Sequence, residues 1–180
     1  MGHHHRPHRA CSRICYLLFA ELLISSRSLV EIEHKFLVSG PYKHLAISSS
    51  HIVQGYLCDD PRRTVRIRIR DDEAFITIKG ASSADGLSRY EWEKPIDVKE
   101  AHELLALCLP GTIDKHRHIV PWEGHEWEVD EFHGHLEGLT LAELEVESAD
   151  TEFKKPPFLG REVTGDPQYY NSQLRKTRKG

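Results

Sequence analysis

The sequence has no apolar run long enough to cross a membrane as a helix, no cysteine framework and no surplus of basic charge. A spanning helix needs about 20 consecutive apolar residues. The longest candidate, Cys15 to Ile24, is shorter than that and is interrupted by Glu21. Membrane partners are therefore not expected. The four cysteines are Cys11 and Cys15 near the start and the isolated Cys58 and Cys108. The latter two read as buried thiols of a reducing cytoplasm rather than as disulfide partners. A formal charge of −4 offers no general attraction for nucleic acid. There is no internal repeat and no linker that divides the chain. At 180 residues, with 29% charged residues, the sequence suits one folded domain with a real core rather than a disordered chain.

Residues 1–29 differ from the rest. Met1-Gly2-His3-His4-His5-Arg6-Pro7-His8-Arg9 has the look of a tag or unselected leader. Basic residues ahead of an apolar run, with Ser25-Ser26 as an exit, also resemble a signal peptide. The body lacks the disulfides of secreted proteins, so the segment is read as an extension carrying at most a short helix. His3, His4, His5, His8, Cys11 and Cys15 match no metal-ligand spacing. A single domain is expected over 30–178.

What the body does have is strict alternation. Val30 to Val38 places Glu31, Glu33 and Lys35 on one side and Ile32, His34 and Phe36 on the other. Taken alone, this is an exposed edge strand. Further strands are expected at His51–Cys58, Thr64–Arg70, Ala74–Gly80, Ser88–Ile96, Thr112–Val120, Glu126–Phe132 and Leu141–Glu147, with Asp71-Asp72 as a hairpin turn. Asp97 and Glu100 form a capping box for a helix through Cys108 whose apolar stripe must pack on something. A second helix is expected from Asp166 to Arg175. Eight strands joined mostly by short turns predict a mainly β (α+β) fold: an eight-stranded antiparallel closed β-barrel with helices packed outside.

The charges are sorted by strand. Arg66, Arg68 and Arg70 share one face of one strand, whereas Glu91 and Glu93, Glu128 and Asp130, and Glu143, Glu145 and Glu147 group on others. A solvated surface intersperses the two signs. Three arginines at every second position repel one another unless an anion joins them. The helices also need apolar sheet surface to cover. If they cover the outside, the charged face lies inside. The candidate inward bases are Lys35, Arg66, Arg68, Arg70, Lys79, Arg89, Lys115 and Arg117. The candidate acids are Glu31, Glu33, Glu91, Glu93, Glu128, Asp130, Glu143, Glu145 and Glu147. So many charges cannot form a dry core. They suit a wet cavity in which bases grip a polyanion and carboxylates hold divalent cations.

Glu31-Ile-Glu33-His-Lys35 resembles the ExExK signature of the CYTH superfamily, the triphosphate tunnel metalloenzymes. The resemblance continues through Gln54-Gly-Tyr56-Leu, Val65-Arg66-Ile-Arg68-Ile-Arg70, Thr77-Ile-Lys79-Gly, Arg89-Tyr-Glu91-Trp-Glu93, Lys115-His-Arg117, Trp127-Glu-Val-Asp130, Leu141-Ala-Glu143-Leu-Glu145 and Glu162-Val-Thr164-Gly-Asp166. It is greatest to the inorganic triphosphatase branch. The resemblance implies a barrel that binds triphosphate with Mg²⁺ or Mn²⁺. It implies a metal held by Glu31, Glu33, Asp130, Glu143 and Glu145, and phosphates held by Lys35, Arg66, Arg68, Arg70, Lys79, Arg89, Lys115 and Arg117. Lys35, Tyr56, Glu91 and Glu93 are the candidates for activating or orienting water. The implied reaction is hydrolysis of inorganic triphosphate to pyrophosphate and phosphate. Adenylate cyclase, nucleoside or thiamine triphosphatase, and a non-catalytic polyphosphate-binding module remain as alternatives. His34 stands where Arg is common in that branch and His116 where Thr is common, both on the outward side. Trp92 and Trp127 are expected to pack under helices. The tail helix is expected to cap one tunnel mouth. His125, His133 and His135 are read as surface residues. An apolar outer face would let two copies pair.

Overall fold

The computed structural model describes residues 29–177. The expectations for the leader at 1–28, its histidines and two cysteines included, lie outside these residues. Each alternating run forms a strand: β1 Val30–Val38, β2 Ser48–Asp60, β3 Arg63–Arg70, β4 Glu73–Ser82, β5 Ser88–Ile96, β6 Ile113–Trp122, β7 His125–Phe132 and β8 Thr140–Glu145. A further short strand, β9, spans Leu159–Glu162. Helix α1 is Val98–Ala106 and α2 is Asn171–Leu174. The turn between β3 and β4 holds Asp71 at φ 52°, a left-handed conformation that Asp tolerates better than most residues.

The strands pair antiparallel in the order β5-β4-β3-β2-β6-β7-β8-β1, and β1 closes the ring by pairing back to β5. Val30, Glu31 and Ile32 face Tyr90, Arg89 and Ser88 of β5, while Glu33 to Leu37 lie opposite β8. Where β5 stops, β9 takes over beside Phe36 and Val38. The barrel is therefore the expected eight-stranded one with a ninth strand added. That strand is only four residues long and lacks clear alternation, so it reads from sequence as loop.

Most of the apolar core lies outside this ring. Phe36, Trp127, Val129, Ala142 and Leu144 point outward from β1, β7 and β8 and are sealed by Tyr42, Phe153 and Phe158 from the connecting segments. Ile67, Ile69 and Ala74 receive Ala101 of α1. Each fully buried aliphatic or Phe side chain contributes about 1.5–3 kcal/mol. Gly55 allows the close approach of α1's end: a Cβ there would meet Cys108 at 2.9 Å. A third cluster lies inside. At one end the inward positions change from charged to apolar, and Ile113, Phe132 and Leu141 are covered by Leu136, Val163 and Leu174. This plugs that end of the barrel.

Helix α1 begins as expected. The Asp97 side chain accepts from Lys99 N–H, and Glu100 reaches back to the Asp97 N–H. Asp97→Ala should lower stability by about 1 kcal/mol, read from denaturant unfolding, with hydrolytic rate unchanged because the cap faces away from the barrel interior.

Several expectations need correction. Strand β2 starts at Ser48, because the polar Ser48 to Ser50 still pair through their backbones with β6. The tail from Asp166 is a 3₁₀ turn followed by the four residues of α2, not one helix through Arg175. Pro167 suits a helix start, but Tyr170, extended at ψ 131°, interrupts the run after one turn. Trp127 packs under loop residues rather than a helix. Trp92 lies beside Ile78 on an uncovered outer face and is 37% exposed. Cys58 and Cys108 are free but only half-buried. Glu147 falls beyond β8 and is exposed, so it does not join the inward acids.

Candidate active site

Because side chains alternate across a strand, the inward set of each strand meets those of its neighbours in cross-strand rows. Arg66, Thr77 and Glu93 stand directly opposite one another on β3, β4 and β5. Lys79 faces Glu91, and Glu31 faces Arg89. On the other wall Arg117 faces Asp130, Glu128 faces Glu143, Glu143 faces Lys35, and Glu33 faces Glu145. These rows enclose a cavity of about 240 Å³. Its lining includes Glu31, Glu33, Lys35, Tyr56, Arg66, Arg68, Arg70, Lys79, Arg89, Glu91, Glu93, Arg117, Glu128, Glu143 and Glu145.

The charges hold one another in place. Lys35 Nζ lies 2.9 Å from Glu143 and 3.2 Å from Glu33. Lys79 reaches Glu31 at 2.8 Å and Glu91 at 2.6 Å, and Arg89 donates to Glu31 at 2.9 Å. Arg68 donates to both oxygens of Glu93 at 2.9 and 3.1 Å. Arg117 forks onto both oxygens of Asp130 at 2.7 Å and also meets Glu143 and Glu128. Arg70 sits near a mouth, paired with the exposed Glu73. Lys115 and Asp130 do not line the cavity; they form a buried 2.5 Å pair beside Arg117.

Protonation follows from this geometry. Burial pushes the Glu31 carboxyl up, but Lys79 and Arg89 together reverse this and hold it well below the usual range. Burial and then Glu143 raise Glu33 to about 7, because the charge of Lys35 is shared with Glu143. Glu143 itself is held low by Lys35 and Arg117 against its burial. Burial lowers Lys115 to about 8, with Asp130 opposing. Burial, then Arg66, lowers Arg68 to about 10. Burial raises the Tyr56 hydroxyl.

Carboxylate oxygens are the donors that hard divalent cations take. Among the described residues no three His, Cys, Asp or Glu side chains are already gathered around one point; Glu31, Glu33 and Glu143 each lie against a base. Glu31, Glu33, Glu143 and Glu145 nevertheless share the wall made by β1 and β8, and burial together with crowding already pushes Glu33 toward its neutral form. Added positive charge would relieve that crowding, so the residues fit such an ion. Asp130 fits less well, both of its oxygens being taken by Arg117 and Lys115.

Sequence reasoning passed over some residues. Thr77 and Gln54 occupy inward positions and are fully buried, but carry no charge to draw notice. Gln54 donates to the Tyr56 hydroxyl at 3.3 Å. Tyr170, Asn171 and Ser172 join the cavity lining from the tail, whose periodicity says nothing of where it folds back. Their position agrees with a tail that covers the tunnel. Gly86 and Gly165, both with positive φ, bring the β4–β5 loop against the turn after β9; a Cβ on Gly86 would lie 2.2 Å from Gly165 Cα.

The profile of the CYTH domain family matches residues 29–180. An inorganic triphosphatase of Acetivibrio thermocellus is 49% identical over 148 residues, covering 81% of this chain and 93% of that protein. One from Nitrosomonas europaea is 37% identical over 152 residues, covering 81% and 97%. A crystal structure of an inorganic triphosphatase superposes with a TM-score of 0.62 at 33% identity, covering 83% of this chain and 97% of that one.

Proposed function

The chain belongs to the CYTH domain family, and from that premise we propose that it is a metal-dependent hydrolase splitting inorganic triphosphate into pyrophosphate and phosphate inside the barrel. The observation that carries this reading is a cavity in which guanidinium and ammonium groups are interleaved with carboxylates on every side. A triphosphate chain needs the first, and a divalent cation that neutralises it needs the second.

Arg66, Arg68, Lys79, Arg89, Lys35 and Arg117 bind the phosphate oxygens, with Arg70 drawing substrate in at the mouth. Each base exchanges a carboxylate partner for phosphate, so the pocket is polar and preorganised before substrate arrives. Glu31, Glu33, Glu143 and Glu145 hold Mg²⁺ or Mn²⁺. When bound, such an ion withdraws charge from a phosphate oxygen and makes water more acidic. Asp130 and Lys115 orient Arg117. Glu91, which lines the cavity beside Lys79, aligns the attacking water, and Lys35 and Tyr56 donate to the charge that develops as the bridging bond breaks. Catalysis is thus positioning and electrostatics, without a covalent intermediate.

The test is a substrate panel of triphosphate, ATP, thiamine triphosphate and longer polyphosphate with Mg²⁺ and Mn²⁺ in turn. One phosphate and one pyrophosphate should appear per triphosphate, turnover should stop with a chelator and return with the metal. Cyclic AMP from ATP would instead favour a cyclase, and binding without turnover a passive polyphosphate module. The proposal extends to a reducing cytoplasm, which the free Cys58 and Cys108 suit, and to no nucleic-acid partner. No described helix is long and apolar enough to cross a membrane. The outer residues Ile78, Tyr90 and Trp92 mark the face on which two copies would pair.

A further inference from the structure

Thr77 is a fully buried hydroxyl among charges. Arg66 Nη2 donates to its Oγ1 at 3.1 Å, and the hydroxyl donates onward to Glu93 Oε2 at 2.7 Å. The direction of this relay has no ambiguity. A guanidinium can only donate, an ionised carboxylate can only accept, and a hydroxyl does both. Glu93 stays ionised: burial pushes it up, but Arg68 and the Thr77 hydroxyl more than reverse this. Both oxygens of the same Glu93 accept from Arg68 Nη2, while its contact with Arg66 is longer, at 3.4 Å. Cross-strand register makes the relay possible, because Arg66, Thr77 and Glu93 stand in one row on three adjacent strands.

We propose that Thr77, acting through Glu93, is a positioning residue that fixes both Arg66 and Arg68 for the phosphates; this rests on the triphosphatase reading above. Glu93 then serves as the arginines' anchor rather than as the group that orients water. Without the hydroxyl, Arg66 loses its closest partner and Glu93 one of its donors. The guanidinium swings away from the geometry a phosphate needs, and the cost falls on substrate binding.

Thr77→Val keeps the shape and removes the hydroxyl, Thr77→Ala removes the hydroxyl and a methyl, and Thr77→Ser keeps the hydroxyl. Steady-state hydrolysis of triphosphate with saturating Mg²⁺ should show KM raised about tenfold in the Val and Ala variants, the scale of one charge-assisted hydrogen bond. The value of kcat should fall less than KM rises, and Thr77→Ser should return KM to within twofold of the unaltered protein. Whichever of Val and Ala folds carries the test. An unchanged KM in that variant overturns the proposal, as does a Ser variant as impaired as Val, which would assign the effect to packing. An unaltered protein that does not hydrolyse triphosphate would instead defeat the functional reading itself, so the two failures are distinct.

Discussion

Glu33→Gln is expected to reduce triphosphate hydrolysis by about 1,000-fold while leaving the barrel folded. Glu33 lines the cavity on the wall shared with Glu31, Glu143 and Glu145, and an amide of the same size cannot replace a carboxylate as a ligand for a hard cation. The structure also says what stability should do. In the metal-free protein Glu33 holds its proton up to about pH 7, because burial and Glu143 both oppose its charge. The unfolded chain releases that proton at the ordinary carboxylate value. Folding is thus weakened as pH rises from that value through about 7, and a permanently neutral side chain escapes the loss. Thermal unfolding of the metal-free variant at pH 8 should match or exceed that of the unaltered protein. Activity within tenfold of the original would remove Glu33 from the machinery; a collapse of stability would mean that it is structural.

Asp130→Asn should do the opposite and act first on the fold. Asp130 is completely buried, and its two oxygens answer the Arg117 fork and the Lys115 ammonium. Removing one partner of a buried ion pair leaves the other charges without compensation, a loss of about 3–5 kcal/mol. Lys115 can respond by giving up its proton, since burial already brings it to about 8. Arg117 cannot, and it keeps only Glu143 and Glu128. Urea or guanidinium unfolding would measure the difference; a midpoint change worth less than about 1 kcal/mol would contradict it. Any fall in hydrolysis should then be traced to Arg117 losing its orientation.

Much of this was legible in the sequence because alternation has only two phases. Once Arg66 and Arg68 are placed on one face, Ile67 and Ile69 must lie on the other, and the need of α1 for apolar surface decides which face is inside. The capping box at Asp97 announced the start of α1 for the same local reason. What alternation does not encode is interaction between elements. Nothing in Leu159 to Glu162 says that it will extend the β1 edge where β5 ends. Nothing in Tyr170 to Ser172 says that the tail will return to the cavity. Thr77 was in the right phase, but a lone hydroxyl has meaning only when the strand register sets it between Arg66 and Glu93. Asp130 shares the phase of the acids expected to hold the metal, and only the register shows that its oxygens meet Arg117 and Lys115 outside the cavity lining.

The placement of most apolar side chains outside the ring, with charges inside, has a consequence for how the chain tolerates change in length. Deleting one residue within β3 would turn its arginines toward Ala101 of α1 and drive Ile67 and Ile69 among carboxylates. An ordinary half-wet sheet pays for such a slip on one face, whereas here both faces fail together. Misaligned pairings are therefore doubly disfavoured, and the barrel has one acceptable alignment. Insertions and deletions among its homologues should fall in the connections, such as the loop between β4 and β5, and spare the strands.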